Sequence, residues 1–169
     1  MKHYNLQILF LIGLLSLSVA AKHNDKPIAE NFTATTLEGK SISLEQLRGQ
    51  VVVLTFWSTR CPICEKEIPK FGQIADKYAG RKVVFLGLTM ENDGKVAAHL
   101  KKKPFKFTIV PNSLEVIMKY ANKNPNGSFD IAYPTIIVIN QKGEIELRTS
   151  GRNKSKTMDD LIGRLLEQK

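Results

Sequence analysis

Phe56-Trp57-Ser58-Thr59-Arg60-Cys61-Pro62-Ile63-Cys64-Glu65-Lys66-Glu67-Ile68-Pro69 decides the fold, because the chain changes structure type inside it. On its N-terminal side, Val51 to Trp57 is continuous, β-branched and apolar, the composition of a strand buried on both faces. On its C-terminal side, Pro62 to Tyr78 reads as a helix closed by Gly80, with Ile68, Phe71, Ile74 and Ala75 recurring at helical spacing. Glu65, Lys66, Lys70 and Asp76 fall on its wet face, and Glu67 is read as exposed with them.

The cysteines sit at the junction. Pro62 suits the first helical position, where a missing N–H costs nothing. Cys61 then lies over unsatisfied N–H groups and the positive end of the helix dipole, both of which favour a thiolate. Cys64 follows nearly one turn later on the same face, close enough to bridge and more covered. The chemistry this permits is attack by Cys61 on a sulfur, followed by resolution of the mixed disulfide by Cys64. The chain of 169 residues has only these two cysteines. A bridge across two residues scarcely restricts the unfolded chain, so it is a poor staple and the pair serves some other purpose. A zinc site lacks ligands: beyond the pair the candidates are His23 and His99, with no second Cys pair, and no metal is expected. A c-type haem needs His after the second Cys, where Glu65 stands.

Outward from this centre, Asn31–Thr36 and Lys40–Ser43 flank Leu37-Glu38-Gly39 as a hairpin, and Ser43 caps a short turn with Gln46 three residues on. Lys82–Thr89 is a second buried strand, Gly94–Lys103 a helix stopped by Pro104, and Phe107–Val110 a short strand. Ser113–Asn122 reads as a helix with Leu114, Ile117 and Met118 inward, and Asn122–Asp130 as a loop. Thr135–Ile139 and Glu144–Thr149 are strands joined by Asn140-Gln141-Lys142-Gly143, and Thr157–Gln168 is an amphipathic helix. Crossovers in the first half imply parallel strands and the hairpin adds antiparallel ones: an α/β fold with a mixed central sheet covered on both faces.

Lys2 and His3 precede an apolar run from Leu6 to Val19 that ends in Ser18, Val19, Ala20 and Ala21, the layout of a secretory signal peptide. The expected organisation is a signal over 1–21, a linker over 22–29 and one domain over 30–169. The run is shorter than the roughly 20 residues that cross a bilayer, so no stable span is expected once it is cleaved. The expected location is exported, periplasmic or otherwise extracytoplasmic, with membrane anchoring if the segment is retained. Net charge is +9, with its densest run at Lys101, Lys102 and Lys103. That run reads as a solvated helix end rather than a nucleic-acid patch, because no aromatics interleave it. The basic balance favours acidic protein partners. Asn-x-Ser/Thr triplets at Asn31, Asn126 and Asn153 are read as chance.

The quoted segment resembles the active-site segment of thioredoxin-fold proteins, and most closely the TlpA/ResA-like, AhpC/TSA-related branch. The resemblance runs from Lys26 to the C-terminus and implies a thioredoxin-like three-layer α/β/α fold with an extra N-terminal β-hairpin. It implies an exported thiol–disulfide oxidoreductase that keeps protein thiols reduced, notably during cytochrome c maturation. It places Cys61 and Cys64 as the redox pair, Pro134 of Tyr133-Pro134-Thr135 as a cis-proline facing them, and Glu91 beside the site as a proton handler with a raised pKa. Trp57, Arg60, Pro62, Ile63 and Tyr133 follow as residues that meet the substrate. Expected partners are protein thiols or disulfides and a protein electron donor, with the disulfide as the only redox group, no further cofactor, and a monomeric chain.

Three departures bear on the chemistry. Thr55 stands where thioredoxin carries a buried Asp, Arg60 where many relatives have Trp, and Pro62-Ile63 replaces their dipeptides. A cation at Arg60 would make Cys61 a better leaving group and a weaker nucleophile. A thiol peroxidase of the same fold is the alternative enzyme, although Leu54 and Ser58 occupy its Pro and Thr positions. A binding module without turnover is the non-enzymatic one. His99 and Met90 are read as structural.

Overall fold

Val51–Phe56 (β3) is buried at every residue, in a computed structural model that describes residues 26–168. It is the middle strand of a five-stranded sheet. Val83–Leu88 (β4) runs parallel to it on one side, and Thr108–Val110 (β5) runs parallel beyond β4. Thr135–Ile139 (β8) and Ile145–Ser150 (β9) lie antiparallel on the other side. A strand with neighbours on both edges and helices on both faces has no wet position, so a continuous apolar run was needed.

The strand's alternation divides the interior. Val51 and Val53 face a cluster built by Pro62–Lys77 (α1), Asp93–Leu100 (α2) and Ser155–Glu167 (α4), including Ile68, Phe71, Val96, Met158 and Ile162. Val52, Leu54 and Phe56 face the opposite cluster with Phe32, Leu44, Ile117 and Tyr120. That second layer is made by Leu114–Lys119 (α3) and by the N-terminal hairpin, Thr33–Thr35 (β1) with Ser41–Ser43 (β2). The result is the three-layer α/β/α arrangement with an added hairpin that the resemblance implies.

Local chemistry explains the hairpin's seating. Leu37 N–H donates to the Ile109 carbonyl at 2.8 Å, which ties the turn to β5. Ser43 and Gln46 form the reciprocal cap: Gln46 N–H donates to Ser43 Oγ at 3.3 Å, and Ser43 N–H to Gln46 Oε1 at 3.1 Å. A 3-10 turn, Glu45–Leu47, follows and leads the chain into β3.

Several expectations are corrected. Leu114, the first residue of α3, is exposed at 53% and Met118 is half-buried, so Val116 and Ile117 carry the inward face. The polar stretch read as a loop contains a small hairpin, Asn122–Lys123 (β6) with Phe129–Asp130 (β7). Helix α2 ends at Leu100, and Lys101–Lys103 form a turn in which the N–H groups of Lys102 and Lys103 donate to the His99 carbonyl. Pro27–Ala29, read as linker, lies against the β8–β9 turn: Ile145 N–H donates to the Pro27 carbonyl and Ala29 N–H to that of Gly143, each at 2.8 Å. The expected signal over 1–21 lies outside the described residues. Among the described residues no helix is long and apolar enough to cross a membrane.

Candidate active site

The site forms where β3 hands over to α1. Trp57 N–H still donates to the Leu88 carbonyl at 3.0 Å, so the sheet continues through Trp57. The chain then turns through Ser58-Thr59-Arg60, with Cys61 N–H on the Ser58 carbonyl at 3.1 Å. Cys61 is the N-cap of α1 with extended backbone (φ −95°, ψ 105°), and Pro62 opens the helix. Its Sγ accepts the Cys64 N–H at 3.1 Å, as a Ser or Asp cap would accept it. Cys61 and Cys64 are joined in a disulfide with Cα atoms 5.2 Å apart. Cys64 is 2% exposed, whereas Cys61 is only half-buried. An outer sulfur on a helix N-terminus with an inner sulfur behind it is the asymmetry that stepwise exchange requires.

The second side of the site comes from β8. Thr135 pairs in register with Phe56, which sets Pro134 beside the end of β3 and hence beside the turn into Cys61. The Tyr133–Pro134 peptide bond is cis. Thr135 Oγ1 donates to the Ala132 carbonyl at 2.7 Å, holding the turn that presents this bond. Tyr133 is half-buried between the two clusters, and its hydroxyl has no partner among the described residues. Burial, and then the charge of Glu91, push its phenol up.

Glu91 is where the resemblance placed it and not in the state expected. Its carboxylate accepts Thr59 N–H at 2.8 Å, Thr59 Oγ1 at 2.7 Å, Ser58 Oγ at 3.3 Å and Lys95 Nζ at 2.6 Å. Burial alone would push the carboxyl up, but Lys95 and the two Thr59 donors outweigh it and hold the pKa at about 2. The expectation of a raised pKa is therefore wrong. Glu91 is an ionised clamp that fixes the Ser58–Thr59 turn immediately before Cys61.

Glu67 corrects the reading in the other direction. It is 3% exposed, accepting Lys70 Nζ at 2.8 Å and Asn153 N–H at 3.1 Å. Its position one turn beyond Cys64 puts it on the covered face with Ile68 and Phe71, and this spacing was visible in the sequence. Glu65, by contrast, is exposed and pairs with Lys103 at 2.5 Å. Arg60 and Pro62 are exposed and Ile63 half-buried, so these three line the accessible side of the pair. Trp57 is fully buried, with ring centroids 4.6 Å from Phe105 and 5.6 Å from His99.

Known proteins resemble this chain in sequence and fold. The AhpC/TSA family pattern matches residues 26–148. The thiol-disulfide oxidoreductase ResA of Bacillus thuringiensis subsp. konkukian is 30% identical over 139 residues, spanning 81% of this chain and 76% of that one. Sporulation thiol-disulfide oxidoreductase A of Bacillus subtilis is 29% identical over 145 residues, spanning 82% and 83%. Among solved structures, StoA from Bacillus subtilis superposes with a TM-score of 0.63 at 28% identity, covering 79% of this chain and 96% of that one. A thioredoxin family thiol:disulfide interchange protein from Chlorobium tepidum TLS gives a TM-score of 0.72 at 24% identity, covering 84% and 97%, a likeness of fold. With a cis-proline beside a helix-capping Cys-Pro-Ile-Cys pair on this sheet, the chain belongs to the AhpC/TSA family, in its TlpA/ResA-like thioredoxin-fold branch.

Proposed function

We propose that the thiol–disulfide exchange carried by Cys61 and Cys64 runs in the reducing direction, on protein substrates, outside the cytoplasm. The observation that carries the exchange is the helix-capping sulfur: Cys61 Sγ accepts a backbone N–H at the positive end of a 16-residue helix, with Cys64 covered behind it. In the reduced protein the Cys61 thiolate attacks a substrate disulfide, and one substrate sulfur leaves as a thiolate. Cys64 then attacks Cys61 Sγ, the bond from Cys61 to the substrate breaks, and the second substrate thiol is released. Two electrons pass to the substrate and the Cys61–Cys64 disulfide remains.

The backbone at Tyr133–Pro134 is the place for the substrate chain, since it lies beside the turn into Cys61, with Tyr133 as its wall. Arg60, Pro62 and Ile63 meet the substrate on the accessible side. The disulfide itself is the redox group, so a partner protein must return the electrons. Support for the direction is the resemblance to the branch that keeps thiols reduced. Support for the location is the leader pattern from Lys2 to Ala21. The test is a pair of variants expressed with the natural partners. Cys64→Ser should accumulate mixed disulfides that a reductant dissolves, and Cys61→Ser should form none. Equal trapping by both variants, or by neither, would sink the assignment of roles.

A further inference from the structure

Cys64 presents a problem that the exchange leaves open. It must lose a proton to attack the mixed disulfide, yet it is 2% exposed. Cys64 lines a cleft of about 250 Å³ between α1, the end of α2 and the segment leading to β5. Trp57, Cys64, Ile68, His99 and Phe105 line it, and the Glu65–Lys103 ion pair stands at its rim.

Few groups there can accept a proton. Lys103 is a cation, and Glu65 is held below the usual carboxylate range, first by its hydrogen bond to Lys103 and then by that cation's charge. The half-buried Glu91 and the buried Glu67 are committed elsewhere. Glu91 is clamped by Ser58, Thr59 and Lys95, and Glu67 has one oxygen on Lys70 and the other on Asn153 N–H; neither lines the cleft. Thr55 occupies the strand position where an acid would have been expected. His99 remains. It lies in the last turn of α2 with its ring 5.6 Å from the Trp57 indole, and it lines the same cleft as Cys64. The indole N–H of Trp57, fully buried and without a partner among the described residues, adds a donor that a water in the cleft can satisfy.

We propose that His99 is the proton acceptor for Cys64, reached through water in this cleft. The proposal rests on the exchange function above and deepens its second step. A neutral imidazole takes the Cys64 proton, the Cys64 thiolate forms its bond to Cys61 Sγ, and the bond from Cys61 to the substrate breaks with its electron pair on the leaving sulfur. The imidazolium then returns its proton to solvent or to the released thiolate. In the reverse direction it reprotonates Cys64.

The two steps can be timed separately by mixing the fully reduced protein with a bis-nitrobenzoate disulfide, which releases one coloured thiolate at the Cys61 attack and a second at the Cys64 resolution. His99→Gln should slow the second release at least about tenfold near neutral pH and leave the first unchanged. The deficit should shrink as pH rises and Cys64 ionises unaided, a pattern that lost packing would not produce. His99→Asn, a second neutral replacement, should show the same pH-dependent deficit in the second release, which keeps the proposal testable if the glutamine variant fails to fold. A second release that is unchanged in His99→Gln, slowed equally with the first, or slowed by a constant factor at every pH would overturn it. If the unmutated protein shows neither release, the exchange function falls, and this proposal with it.

Discussion

Replacing Glu91 by Gln should flatten the acid limb of the stability curve. The carboxyl is held at about 2 against an ordinary 4.5. Its folded pKa is depressed, so the stabilisation is full above the unfolded value and drains as pH falls toward the folded one. The unfolded chain takes up the proton first. At about 1.4 kcal/mol per pH unit the group contributes about 3 kcal/mol, most of it lost between pH 4.5 and 2. Screening reduces this little, since the side chain is 11% exposed. Glutamine can still accept from Thr59 N–H but carries no charge for Lys95. Urea unfolding at a series of pH values measures the effect. Between about pH 6 and about pH 2.5 the wild-type protein should lose roughly 2.5 kcal/mol more stability than Glu91→Gln. Parallel curves would show that the clamp is not ionised as described. The account of the turn before Cys61 would then fail with it.

Other expectations follow from single contacts. Glu67→Ala leaves Asn153 N–H without its acceptor and Lys70 without its partner, and should cost about 1–3 kcal/mol in urea unfolding, with Glu67→Gln recovering part of the loss; an alanine variant as stable as wild type would refute the pinning role. Gly87→Ala places a Cβ 2.7 Å from Phe107 Cε2 and 3.0 Å from Ile109 Cδ1, where β4 meets β5, and should destabilise by about 1–3 kcal/mol in thermal or urea melts. No loss there would mean that Phe107 moves aside freely.

The parts of the fold written as local pattern were legible. The buried run Val51–Phe56 announces a central strand because only a strand covered on both faces tolerates it. The Ser43–Gln46 cap and the Pro62 helix start are short-range chemistry, and the structure reproduces both. What was missed depends on distant residues. Glu67 was read as wet because carboxylates usually are, although its spacing from Cys64 already placed it on the covered face. What permits its burial is the Asn153 N–H, far along the chain. Glu91 was located through the resemblance, but its charge state is set by Thr59 and Lys95, which meet it only in the folded chain. The β6–β7 hairpin has two-residue strands without apolar alternation, so no period exists to detect. His99 was set aside as structural, and only the cleft shared with Cys64 gives it a task.

The reduction potential of the Cys61–Cys64 pair tests the central claim most directly. The protein would be equilibrated in thiol–disulfide buffers of graded potential and its two thiols counted by alkylation and mass. A reversible two-electron transition at or below about −250 mV is the result predicted for a reductant. A midpoint near about −120 to −180 mV would place the protein with the oxidases and isomerases and contradict the proposed direction. No reversible transition at all would contradict the exchange itself.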